Sequence, residues 1–94
     1  MEKISLNAEH NTGSFNAVPG QIGHLHFPAG TVLPPNSHAQ DEISFIHSGV
    51  LRAVSGGQSY TLRAGDVTLI PAGEVHEAEV LEDVELSYVL LDKP

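Results

Sequence analysis

Residues 30–49 read GTVLPPNSHAQDEISFIHSG, and residues 65–76 read GDVTLIPAGEVH. Neither stretch can be a helix, because proline removes amide donors and glycine loosens the backbone in both. Both are therefore strands and tight turns, in which side chains two positions apart share a face. Asn36 and His38 are two apart, and Glu42 lies four beyond His38. A strand from the second stretch could bring His76 opposite them. Two imidazoles and one carboxylate converging from one side is the facial arrangement that iron and related divalent ions take.

The surrounding chain fits this reading. No long amphipathic helix pattern occurs. Short apolar runs alternate with turn signals every 8 to 12 residues, the pattern of an all-β domain. Residues 22–27 form a strand with Leu25 and Phe27 on one face and His24 and His26 on the other. Residues 28–35 are a loop stiffened by Pro34-Pro35. Residues 43–47 and 50–55 are strands separated by a turn at Ser48-Gly49. Gly56-Gly57 then makes a two-residue hairpin to residues 58–62. Residues 67–70 form a strand stopped by Pro71-Ala72-Gly73. Residues 76–80 and 84–91 form a last hairpin across Glu82-Asp83. The total is roughly seven or eight short strands, enough for a small barrel or sandwich. The first 20 residues are polar, and either add an edge strand at residues 3–6 or trail as a loose arm.

At 94 residues the chain is one domain, residues 1–94, with a core that is only modestly stabilising by itself. Twelve acids against four bases give a net charge of −8, which disfavours nucleic acid as a partner. No run approaches a membrane span or a signal peptide, so a soluble cytoplasmic protein without a membrane partner is the expectation. Without cysteine, neither disulfides nor thiolate metal sites arise. The six acids between Glu74 and Glu85 form a solvated surface, and only Arg52 and Arg63 could clamp a substrate carboxylate strongly.

The two quoted stretches resemble the paired motifs of the cupins, small jelly-roll β-barrels with a metal near the barrel centre. The first cupin motif is Gly, five residues, His-x-His, three or four residues, Glu, six residues, Gly. Gly30, His38, Glu42 and Gly49 fall in that register, with Asn36 in place of the first histidine. The second is Gly, five residues, Pro-x-Gly, two residues, His, three residues, Asn. Gly65, Pro71, Gly73 and His76 match, and Val80 stands where the asparagine would be. The resemblance implies a metal site at His38, Glu42 and His76, and a dimer.

Asn36 is the departure that matters. Its amide oxygen is a weaker ligand than imidazole for a late transition metal. It binds through oxygen, or holds a metal-bound water or substrate, or marks a site that has lost its metal. Three remaining ligands suffice for an open, catalytic type of site. The expected metal set is therefore Asn36, His38, Glu42 and His76, holding Fe, Mn, Ni or Zn. Alternation from Glu42 points Ser44 into the same space, as a small polar spot in a substrate pocket. His26 either lines that pocket or lies on an outer or dimer-facing surface with His24. Val50 and Val54 are expected to face outward opposite Leu51 and Ala53, and so to support a homodimer.

These residues give two functional expectations. One is a metal-dependent isomerase, lyase or dioxygenase acting on a small polar metabolite such as a sugar acid or oxo acid. The other is a non-catalytic module that binds or senses a small ligand. A fold of this type hosts many activities, so the site and not the fold has to decide.

Overall fold

The structure, a computed structural model, describes all residues from Met1 to Pro94. It contains seven strands and no helix: β1 (Thr12–Gly13), β2 (Gly20–Phe27), β3 (Val32–Asn36), β4 (Asp41–Ser55), β5 (Gln58–Arg63), β6 (Val67–Ile70) and β7 (His76–Leu91). No helix is long and apolar enough to cross a membrane. All pairings are antiparallel.

Two long strands organise the fold. β4 and β7 pair with each other along almost their whole length, from Asp41 opposite Leu91 to Ser55 opposite His76. Each is shared between two layers. The first half of β4 pairs with β6 and its second half with β5. Likewise the end of β7 pairs with β2 and its beginning with β3. One layer is therefore β1-β2-β7-β4-β6 and the other β3-β7-β4-β5, joined through the bends of the two shared strands. Ile46, Leu51, Val80, Val84 and Leu86 pack between the layers, with Leu25, Phe27, Leu62, Ala78 and Tyr88 against them.

The bends replace two expected turns. Ser48-Gly49 and Glu82-Asp83 do not end strands; they lie inside β4 and β7. The register shifts repeatedly between Ile46 and Leu51, as β-bulges do when a strand turns a corner. Gly49 has φ 88°, and a Cβ there would collide with the carbonyl oxygen of Asp83 on the partner strand. Only glycine lets the two backbones cross so closely. The same corner buries Val50, which is 8% exposed, so the outward valine pair expected at Val50 and Val54 does not exist. The exposed apolar side chains instead include Phe45, Val67 and Leu69.

Two further expectations differ. The loop expected over residues 28–35 gives way at residue 32 to β3, Val32–Asn36, which pairs only with β7 and breaks register between Leu33 and Asn36. An edge strand with an irregular ladder tolerates Pro34 and Pro35, whose missing amides are not needed there. At the N-terminus, residues 3–6 are not a strand; the edge strand is Thr12–Gly13.

Candidate metal centre

The strand ends assemble the site. Asn36 closes β3, Glu42 is the second residue of β4, and His76 opens β7. His38 sits on the short connection between β3 and β4. The ligating atoms of His38, Glu42 and His76 all lie within 4.8 Å of one another, and all three residues are half-buried. The rings of His38 and His76 meet edge to face, with centroids 4.8 Å apart. His38 Nε2 and Glu42 Oε1 are 3.9 Å apart, too far for a hydrogen bond. The three groups converge without satisfying one another, as a donor set with room for an ion does.

Four local contacts hold this geometry. The Gly73 amide donates to the carbonyl of His38 at 2.8 Å, so the Pro71-Ala72-Gly73 turn is tied to the loop that carries the first histidine. The Ala72 amide donates to Asp41 Oδ1 at 2.8 Å, next to Glu42. Lys93 Nζ lies 2.7 Å from the other Asp41 oxygen. The Lys93 hydrogen bond, and then the Ala72 amide, hold the Asp41 carboxyl below the usual carboxylate range. On His76, Nδ1 lies 3.1 Å from the Glu74 carbonyl oxygen. A carbonyl only accepts, so Nδ1 carries the proton and Nε2 keeps its lone pair for the site, an arrangement typical of metal-ligating histidines.

Asn36 stands directly opposite His76 in the β3–β7 register and lines the same cavity. That cavity, of about 650 Å³, runs between the layers. Ser44 lines it and is buried. His26 does not: it is exposed, on the face of β2 opposite Leu25 and Phe27. Alternation along a strand that has one face in the interior puts the two histidines of β2 outside together. There His24 Nδ1 and His47 Nε2 both approach the Ser87 hydroxyl, at 3.2 and 2.7 Å. Arg52 and Arg63 are likewise exposed and line no part of the cavity.

Tyr88, outside both sequence motifs, lines the cavity beside Ser44, its cross-strand neighbour. Burial, and then the Glu42 carboxylate, push its phenol pKa up, against a smaller pull from Gln21. A Cβ on Gly23 would strike the Tyr88 ring. A glycine across the strand pair from an inward-pointing tyrosine was the available signal, but it needed the register to be read.

Known proteins share this architecture. The chain is 36% identical over 67 residues to a nitrosourea synthase of Streptomyces achromogenes subsp. streptozoticus, covering 70% of this chain and 14% of that enzyme. It is 32% identical over 69 residues to an uncharacterized protein of Streptomyces coelicolor, covering 72% of this chain and 66% of that protein. The chain thus spans less than two thirds of either relative. A cupin protein from Bacteroides fragilis superposes with a TM-score of 0.80 at 22% identity, over 97% of this chain and 83% of that one. Cupins commonly bind metal, and the His38–Glu42–His76 group could hold an ion. Because the cupin domain model matches residues 23–92, nearly all of the two-layer sheet and every candidate ligand, the chain belongs to the cupin family.

Proposed function

We propose that this cupin is a metal-dependent enzyme acting on a small molecule, with His38, Glu42 and His76 as the ligands of one divalent ion. The observation that carries the reading is the convergence of three donor atoms within 4.8 Å beside a cavity large enough for a small substrate. A divalent ion bound there supplies Lewis acidity and open coordination positions, whether it is Fe, Mn, Ni or Zn. The chain's own contribution is orientation. Glu74 fixes the His76 tautomer, and the Ala72 and Gly73 amides keep the two ligand-bearing segments in register. Asn36 offers an amide to an ion-bound water or substrate. Elemental analysis of the purified protein tests the reading. About one transition-metal ion per chain is expected, and His38→Ala or His76→Ala should abolish it. Full occupancy in either variant would remove that residue from the ligand set.

A non-catalytic binding module is the second reading. It is favoured by Asn36, which replaces a stronger imidazole ligand of the cupin motif. Turnover of any bound small molecule by the loaded protein decides between the two. For assembly, we propose a homodimer through the outer face of β4 and β6. There Phe45 pairs with Val67 and Ile43 with Leu69, and Val67 and Leu69 are 59% and 64% exposed. A chain that buries only 8 of its 94 residues gains from covering such a face. Light scattering at tens of micromolar should report a dimer that Leu69→Glu dissociates, whereas a wild-type monomer would refute it.

A further inference from the structure

The cavity wall changes character row by row. Cross-strand register on the β2-β7-β4-β6 layer sets Ile70, Glu42 and Leu90 in one row, beside the ion ligands. The next row is Thr68, Ser44 and Tyr88, with Gly23 beneath the tyrosine ring. Beyond it come Ile46, Leu86 and Leu25. One row of hydroxyls therefore separates the metal candidates from an apolar interior. Those hydroxyls suit a single oxygen of a ligand. Deeper in, a ligand meets hydrocarbon.

No lysine or arginine lines the cavity, and the carboxylates that do are Glu42 and Glu77. A ligand carboxylate carried into the apolar part would lose its hydration with no cation to replace it, which is very costly. The net charge of −8 opposes its approach as well. Several hydroxyls along a ligand would fare little better, since the inner rows offer no partners.

From this wall we propose that the cavity selects a compound with one carbonyl or hydroxyl head, directed at the ion site and the Ser44–Tyr88 hydroxyls, and an uncharged apolar body. Sugar acids, other polyols and dicarboxylates are excluded as preferred ligands. The inference builds on the proposed metal site for the head group. The body's preference comes from the wall alone and holds with or without an ion.

That separation shapes the experiment. Benzylacetone and levulinate share a methyl ketone and a two-carbon spacer, but one ends in phenyl and the other in carboxylate. Each is titrated calorimetrically into metal-free and metal-loaded protein. Benzylacetone should bind at least about tenfold more tightly in both forms, tenfold corresponding to about 1.4 kcal/mol. Equal or tighter binding of levulinate in either form overturns the inference, and so does failure of benzylacetone to bind at millimolar concentration. If the protein takes up no metal, the proposed metal site falls, while the metal-free comparison still judges the cavity. Tyr88→Phe should weaken benzylacetone about fivefold with metal stoichiometry unchanged, as loss of one hydrogen bond to the head predicts. Thr68→Arg, which places the missing cation in the wall, should narrow the preference; an unchanged ratio in a folded variant would count against the charge argument.

Discussion

The molecule holds two pairs of close histidines, one on each side of the same layer. Inside, His38 and His76 have ring centroids 4.8 Å apart; outside, His24 and His47 stack at 6.0 Å. Proximity does not separate them. What differs is where the nitrogens are spent. The outer pair aims Nδ1 and Nε2 at one hydroxyl, that of Ser87, and is satisfied by it. The inner pair has one nitrogen of His76 fixed on a backbone carbonyl, its other lone pair free, and a carboxylate within reach. A pair of imidazoles becomes a candidate metal site through its third ligand and its outer hydrogen bonds.

The comparison breaks most directly by exchange of losses. His38→Ala or His76→Ala should eliminate stoichiometric metal binding, while His24→Ala and His47→Ala leave it intact. Loss of metal in the outer variants, seen by elemental analysis, would erase the distinction. Next in size is Gly23→Ala. It should cost about 1–3 kcal/mol in denaturant unfolding, the usual penalty for overpacking, because the new methyl meets the Tyr88 ring on the inner face. His24→Ala, on the outer face of the same strand, should cost well under half as much. Equal losses would mean that the ring has somewhere to go.

A smaller effect comes from acid. The folded-state pKa of Asp41 is depressed, so its stabilising contribution is present above the unfolded carboxylate range and is lost as pH falls through the folded value. Chelated wild-type protein should therefore melt above chelated Asp41→Asn at neutral pH, with the gap closing well below pH ~4. A gap that persists in acid would assign the difference to packing and not to the Lys93 and Ala72 contacts. The metal contribution behaves similarly at higher pH, because protons compete with the ion for imidazole. Its stabilisation should shrink between about pH 7 and about pH 5, while the outer variants follow wild type. The smallest expected change is Asn36→His. It adds an imidazole opposite His76 and should tighten metal binding, read from competition with a chelator. No change would place Asn36 outside the ligand sphere.

Much of the site was legible because it is written in local spacing. Pro71-x-Gly73 dictates a turn just before His76, and Asn36, His38 and Glu42 sit within seven residues of one another. Alternation likewise separated Leu25 and Phe27 from His24 and His26. The corners were not legible. Gly49 has the same local signature whether the chain reverses or continues around a bulge, and only the carbonyl of Asp83, 34 positions away, decides which. For the same reason simple alternation sends Val50 outward although it is buried: one bulge shifts the alternation beyond it.

The sequence by itself determined the all-β class, the positions of the candidate ligands and the division of β2 into a Leu25–Phe27 face and a His24–His26 face, because these follow from period-two alternation and turn chemistry among near neighbours. The tertiary structure alone decided that β4 and β7 run unbroken through both layers, that the histidine face of β2 turns outward, that Tyr88 rests over Gly23, and that Arg52 and Arg63 stay outside while walls without a lysine or arginine close around Ser44. Those outcomes depend on which residues meet across strands far apart in the chain, and pairing register, set by the whole sheet at once, has no local code.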